Sequence, residues 1–246
     1  MNPYFYDLHI HSCLSPCADN DMTPNNIAGM AALKGLQIIA LTDHNSCKNC
    51  PAFFTACKRQ GIVPIAGMEL STAEDIHLVC LFESLDDAMR FDEAVHSHII
   101  NIPNRPEIFG DQLIFDGEDE QIGTEDTLLI SSTDLWMAEA IKLAKSFGAH
   151  VHPAHIDRES NGIISILGDI PVEYEFGCVE YNSNDRIDEI KSTYSVAKKA
   201  KHVVSSDAHH LWDINEADNC IELDDEPYSS SLVRKRLLEY LDGLAN

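Results

Sequence analysis

Short apolar runs rich in β-branched residues recur along the chain: YFYDLHI (4–10), LQIIALT (36–42), IVPIAGM (62–68), IHLVCLF (76–82), HVHPA (150–154), CVEYN (178–182) and HVVSS (202–206). Runs that are apolar throughout predict strands buried on both faces, hence a parallel sheet. Helical patterns separate most of them. TPNNIAGMAALKG (23–35) offers a Thr N-cap, Pro at the first helical position and Gly at the end. Further helices are predicted over 50–61, 84–100, 133–148, 188–201 and 230–244. This alternation predicts an α/β fold, a (β/α) barrel one unit short of eight, with a doubly wound open sheet as the alternative.

One stretch breaks the alternation. Residues 101–132 carry two short strand-like pieces around a Gly-Glu-Asp-Glu turn. They predict a β-hairpin insertion on the face that carries the chemistry, either covering the site or decorating the surface.

The polar residues gather at the strand ends. In a barrel the chemistry sits at the C-terminal ends of the strands. DLHIH places His9 and His11 two apart, so both rings point to one face. SSDAHH repeats that spacing with Asp207 and His209. Glu69 falls where the third strand ends, and a carboxylate there can bridge two cations. His44 ends the second strand after Asp43, which can orient neighbouring ligands. His155 follows the fifth strand, with His152 as fallback in the same segment. His77 opens the fourth strand instead of ending it, so it is expected to enter from the barrel floor or after a bend. Mixed imidazole and carboxylate groups suit divalent zinc, manganese or iron. The pattern points to a multinuclear metallohydrolase.

The order H-x-H, TDH, G-x-E, a downstream His, an Ala-His segment and SDAH resembles the PHP (polymerase and histidinol phosphatase) family over almost the whole chain. The resemblance implies a single domain over residues 1–246, a distorted (β/α)7 TIM-like barrel with two or three divalent transition-metal ions. It implies that His9, His11, Glu69 and Asp207 hold the first ion. Glu69 then bridges to a second held by His77 and His155, and His44 and His209 hold a third. The chain departs from the family in HSCLSPCADND, where Cys17, with Asp19 as the alternative, takes the remaining third-ion position. A thiolate there favours zinc or iron over magnesium or manganese. Arg158 is a candidate clamp for phosphate oxygens, or the partner of an acid.

Composition narrows the partners. Forty-one acidic against 17 basic residues give a formal charge of −24. That argues for solubility, against a membrane surface and against long nucleic acid as partner. No long apolar stretch and no signal-peptide pattern are visible, so a cytoplasmic location is expected. The eight cysteines are then expected as free thiols or ligands. Cys47 and Cys50 form a lone C-x-x-C with no second pair. Cys13, Cys57, Cys80, Cys178 and Cys220 read as buried small apolar residues.

The expected function is a metal-dependent phosphoesterase. It would act on a small phosphate monoester (nucleotide or histidinol-phosphate-like) through a metal-activated hydroxide at a trinuclear centre. The alternatives are a phosphodiesterase or exonuclease on short oligonucleotides, and a non-catalytic metal- or phosphate-binding module. An amidohydrolase is disfavoured, because no Lys stands in the third or fourth apolar run.

Overall fold

The computed structural model describes residues 1–244; residues 245 and 246 of the expected domain lie outside the described residues. Its strands are β1 (Asn2–Ile10), β2 (Ile38–Leu41), β3 (Val63–Ser71), β4 (His77–Phe82), β5 (Leu113–Phe115), β6 (Gln121–Thr124), β7 (His150–Pro153), β8 (Cys178–Tyr181), β9 (Lys201–Val204) and β10 (Cys220–Leu223). A mixed sheet of order β10-β1-β2-β3-β4-β7 curls into a half-barrel. β8 and β9 form a separate parallel pair. A single parallel bridge, Ile10 to Ala208, carries the curl from the β9 side back to β1. Asp7 adds side-chain closure there, accepting from the backbone N–H groups of Ser206 and Asn215 at 3.0 Å each.

The parallel-sheet expectation needs correction at β4, which runs antiparallel to β3, with Ser71 opposite His77. Only residues 72–76 join the two strands, and the Thr72 N–H donates back to the Ile76 carbonyl at 2.9 Å. Such a tight turn leaves no room for the crossover helix that a parallel partner requires. β10, not expected from the sequence, pairs antiparallel with the outer edge of β1. It leaves Cys220 exposed rather than buried.

Side-chain alternation sorts the core into two layers. Ile39, Leu41, Ala66, Met68, Cys80, Val151, Val179 and Tyr181 face outward to the helices, among them Pro24–Leu33, Cys50–Gln60, Leu85–His96 and Met137–Ser146. Tyr6, Leu8, Ile38, Ala40, Val63, Ile65, Leu81 and Cys178 fill the interior. Val233, Leu237 and Leu241 of the last helix, Ser230–Leu241, join that inner cluster and close the floor. The helix expected over 188–201 is broken into Ile187–Thr193 and Ser195–Lys199, because Tyr194 between them takes an extended conformation.

Within the expected insertion, β5 and β6 pair antiparallel. The insertion packs on loops that follow β1, β2 and β3. Leu113 N–H donates to the Cys13 carbonyl at 2.8 Å, and Asn45 donates to the Leu129 and Ser131 carbonyls at 2.8 Å each. Thr133 N–H reaches the Ser71 carbonyl at 2.9 Å. No helix among the described residues is long and apolar enough to cross a membrane.

Candidate metal centre

The pairing of β1 with β2 shifts register between Asp7 and Ile10. Past that irregularity His9 and His11 follow Leu8 onto the inner face, and both are fully buried. Their Nε2 atoms stand 3.1 Å apart. Glu69, at the end of β3, is 1 % exposed and meets histidines from several elements. His9 and His11 Nε2 lie 3.3 Å from its carboxylate, His44 Nδ1 2.9 Å, His77 Nδ1 2.7 Å and His155 Nε2 3.1 Å. Asp207 Oδ1 completes the ring at 3.0 Å from His11 and 3.4 Å from His9.

His77 reaches this site because β4 is antiparallel. Its first residue lies beside the last residue of β3, so of the two expected routes, from the floor or after a bend, His77 enters at the mouth just after the turn of residues 72–76. His155 carries φ of 27° and Asp207 φ of 53°. Residues with a Cβ avoid such backbone conformations unless the surroundings impose them, and they gather at functional sites.

His9, His11, Glu69 and Asp207 form one close group of potential donor atoms; His44, Glu69 and His77 form another; His11, His44 and His209 a third. His209 stacks on His11 with ring centroids 4.3 Å apart. Cys17 is exposed near the His44 ring and lies outside these tight groups. Asp19 turns away toward His210, 3.5 Å distant. Arg158 pairs with Asp207 Oδ2 at the mouth. His152 does not join this centre, and its ring lies deeper in the barrel next to Glu180. Cys47 and Cys50 are buried free thiols facing the Gly67 carbonyl of β3.

The electrostatics follow from crowding. Burial opposes the charged form of every group here. For Glu69 the facing histidines His77, His9 and His44 outweigh burial and hold the carboxyl well below its ordinary range. Burial and His11 oppose protonation of His44, yet Glu69 and the Cys17 thiol raise it to about 9. His44 Nδ1, Glu69 Oε2 and Asp207 Oδ1 are nevertheless buried without a hydrogen-bond partner. Buried polar atoms are rarely left so, and lone pairs aimed at a common space are what a cation satisfies. The donor set therefore fits divalent metal ions.

Reasoning from the sequence placed Asp43 behind the ligands but missed Glu180 and Ser15. Glu180 on β8 accepts from His9 Nδ1 at 2.7 Å and from the His155 N–H at 3.2 Å. The signal was an acid at an inward position of an otherwise apolar strand, CVEY. Ser15 Oγ stands 2.9 Å from His11 Nδ1 and accepts from the His44 N–H at 3.1 Å. Asp43 in turn accepts from Ser15 Oγ, Ser12 Oγ and the Ser12 N–H at 2.8, 2.7 and 2.7 Å. Such outer contacts fix the tautomer and aim of a ligating ring.

Comparison with known proteins places this arrangement. An error-prone DNA polymerase of Symbiobacterium thermophilum is 36 % identical over 77 residues, 31 % of this chain and 7 % of the polymerase. A 5'-3' exoribonuclease of Haemophilus influenzae is 35 % identical over 79 residues, 31 % of this chain and 28 % of that protein. The chain therefore matches only a small part of either relative.

Among solved structures, lesion-specific endonuclease Q of Pyrococcus furiosus superposes with a TM-score of 0.65 at 17 % identity, over 100 % of this chain and 57 % of the nuclease. A second endonuclease Q structure, complexed with a 27-mer duplex carrying an abasic lesion at the active site, gives 0.64 at 17 % identity, over 100 % and 58 %. A Bifidobacterium adolescentis protein provisionally classed as a metal-dependent phosphoesterase gives 0.56 at 15 % identity, over 94 % and 95 % of the two chains. At these identities the superpositions establish the fold. The PHP domain profile matches residues 7–169, which include His9, His11, His44, Glu69, His77 and His155. The chain belongs to the PHP domain family, a family of metal-dependent hydrolases of phosphoric esters.

Proposed function

We propose that this chain hydrolyses phosphate esters at a centre of two or three divalent ions of zinc, iron or manganese. The ligands are His9, His11, Cys17, His44, Glu69, His77, His155, Asp207 and His209. Residues 1–246 are taken as one PHP-type (β/α)7 barrel, with the hairpin insertion over about 101–132 beside the mouth. The observation that carries the reading is Glu69, one buried carboxylate 2.7–3.3 Å from imidazole nitrogens of β1, β4 and the loops after β2 and β7.

Ions held there would make a water acidic enough to ionise near neutrality and would offset charge on phosphoryl oxygens. The chain's own residues supply the rest. Glu180 holds the proton of His9 on Nδ1 and leaves Nε2 free toward Glu69. Ser15 and Asp43 aim His11 in the same way. Arg158, with its side chain 46 % exposed beside Asp207, is placed to exchange that carboxylate for two oxygens of an incoming phosphate.

A small phosphate monoester is the first substrate class, on the ground of the −24 formal charge. A specific observation favours a second, nucleic-acid reading. The curated relatives are a polymerase and an exoribonuclease, and an endonuclease Q neighbour holds duplex DNA. These relatives conflict with the expectation that the charge argues against long nucleic acid. Net charge describes the whole surface, whereas bound cations reverse the local field at a mouth. Both tryptophans are exposed, Trp136 beside the turn after β3 and Trp212 three residues after His209, and exposed aromatic rings stack bases.

Turnover of a nucleoside monophosphate, a nucleoside bisphosphate and a 5'-phosphorylated single-stranded oligonucleotide by the metal-loaded chain separates the two classes. Hydrolysis that survives both chelation and His9→Ala would overturn the metal reading.

A further inference from the structure

A second histidine cluster lies at the opposite end of the barrel. His150 and His152 flank Val151 on β7. Val151 faces the outer helices, so both histidines face inward. Cys178 opens β8 on the same inner side. All three are buried, at 2 %, 0 % and 0 % exposure. One ring nitrogen of each histidine and the Cys178 sulfur all lie within 4.8 Å of one another.

With both histidines neutral, the hydrogen-bond arithmetic of this cluster does not close with protein atoms alone. Asp242 Oδ1 lies 2.5 Å from His150 Nδ1. A carboxylate only accepts, so His150 carries its proton on Nδ1 and turns the Nε2 lone pair inward. That lone pair meets His152 Nδ1 at 3.0 Å. If His152 keeps its proton on Nδ1, its Nε2 lone pair faces the Glu180 carboxylate 3.8 Å away, and Nε2 is buried with no hydrogen-bond partner. If the proton sits on Nε2, toward Glu180, two imidazole lone pairs meet at 3.0 Å beside a cysteine sulfur. A cation between them resolves the second arrangement. Each histidine would then have a carboxylate behind it, the arrangement that fixes ligating imidazoles.

We propose that His150, His152 and Cys178 form a separate mononuclear site for a soft or borderline divalent cation, zinc in the first instance. Two imidazoles and a thiolate are a zinc donor set, and thiolate disfavours magnesium and calcium. The site lies at the barrel floor and shares no ligand with the Glu69 centre. It ties three elements together: β7, β8 and, through Asp242, the end of the last helix. That helix end is already pressed against β8, since a Cβ on Gly177 would stand 2.8 Å from the Asp242 carbonyl carbon.

The test is titration of the full-length, metal-stripped chain with Co2+, followed by its thiolate-to-cobalt charge-transfer absorption, and then by displacement with Zn2+. With the Cys17 thiol removed as a second source of absorption, the expected result is one thiolate-ligated equivalent in Cys17→Ser that persists when Asp207→Ala is added and disappears when Cys178→Ser is added. Asp242→Asn, at a half-exposed position, should keep the fold and weaken affinity for that equivalent by roughly 10- to 100-fold. It serves as the second variant should Cys178→Ser not fold. In the Cys17→Ser background, no thiolate band, a band that survives Cys178→Ser, or unchanged affinity in Asp242→Asn would overturn the proposal.

Discussion

Asp43→Asn tests whether the ligand rings are held by the carboxylate behind them. Ser12 Oγ accepts from Leu14 N at 3.2 Å and from Asn49 Nδ2 at 2.9 Å, and it donates to Asp43 Oδ2 at 2.7 Å. A hydroxyl has two lone pairs and one proton, so its capacity is full. The substituted side chain can keep one acceptor oxygen for the Ser12 N–H and Ser15 Oγ. Its amide nitrogen then points a donor at a hydroxyl that already accepts twice, and strands the hydroxyl proton. The change converts charge-assisted bonds into neutral ones, each weaker by about 1 kcal/mol. It also leaves a buried donor unpaired, at about 1–3 kcal/mol.

The expected loss is therefore about 3–5 kcal/mol, a melting temperature lower by roughly 6–20 °C for a chain of this size. Urea unfolding of the metal-free protein, with the m-value unchanged, measures it free of ligand linkage. Metal stoichiometry should stay that of the parent, because Asp43 orients ligands and binds none. A loss under about 0.5 kcal/mol, the range of a featureless surface substitution, or one whole equivalent of metal lost, would refute the reasoning.

Other consequences follow from the same contacts. Glu69→Gln should remove most bound metal and lower phosphoesterase activity by more than the ~100-fold that outer-contact losses reach, with the far-ultraviolet circular dichroism unchanged. Gly67→Ala would place a Cβ 2.8 Å from Thr42 Cγ2 and 2.9 Å from the Cys80 carbonyl oxygen. Overpacking against backbone costs about 1–3 kcal/mol, which thermal unfolding would show, and it should also weaken metal binding through Glu69 two residues on. Trp136→Ala and Trp212→Ala should raise KM for an oligonucleotide by about 5- to 100-fold per stacked base and leave KM for a small monoester unchanged. Equal KM values for the oligonucleotide in parent and variants would remove the stacking argument.

The order of strands and helices was legible because the buried runs are short, apolar and separated by capped amphipathic segments. The Thr23 cap accepts from the Asn26 N–H, as its sequence implies, and Gly61 takes the left-handed turn that ends Cys50–Gln60. Strand direction was not legible at β4. Hydrophobic pattern reports burial, and both directions bury a strand equally; the five residues of turn were the only sign. His77 looked misplaced for that reason alone.

Ligand candidates stood out because His and Asp at strand ends have no packing role to explain them. Of their supports, Asp43 stood out by its place beside His44, and the others did not. Ser15 is an ordinary loop residue until the chain folds its side chain under His11, and Glu180 acquires its meaning only from β1, distant in sequence. Cys17 against Asp19 could not be separated by spacing either. Which of them turns toward His44 depends on a loop held partly by the Asp19 N–H bond to the His209 carbonyl, at 2.9 Å.

The interior polar residues are not spread evenly. Below the mouth, β1, β2, β3 and β4 present Tyr6, Leu8, Ile38, Ala40, Val63, Ile65, Val79 and Leu81 to the inside. Among the described residues, β7 and β8 carry a run of titratable groups down toward the floor, His152, His150, Cys178 and Glu180. That sector is also where the sheet breaks: the ladder ends at β7, and β8 pairs with β9 alone. Side chains and single backbone bonds stitch the seam instead. His155 N–H donates to Glu180 Oε1 at 3.2 Å, Ile156 N–H to the Glu180 carbonyl at 2.8 Å, and Asn182 N–H to Asp157 Oδ1 at 2.9 Å.

Buried polar atoms are costly unless paired, so a column of them along a gap in the ladder calls for a compensating bond. A cation bound by His150 and His152 on one side and by Cys178 on the other would be that bond at the floor. Glu180 would then serve both ends of the seam, with one oxygen on His9 and the other toward His152. On this account the histidine cluster at the floor is the means by which an interrupted sheet closes far enough to hold His9, Glu69 and Asp207 within reach of one another.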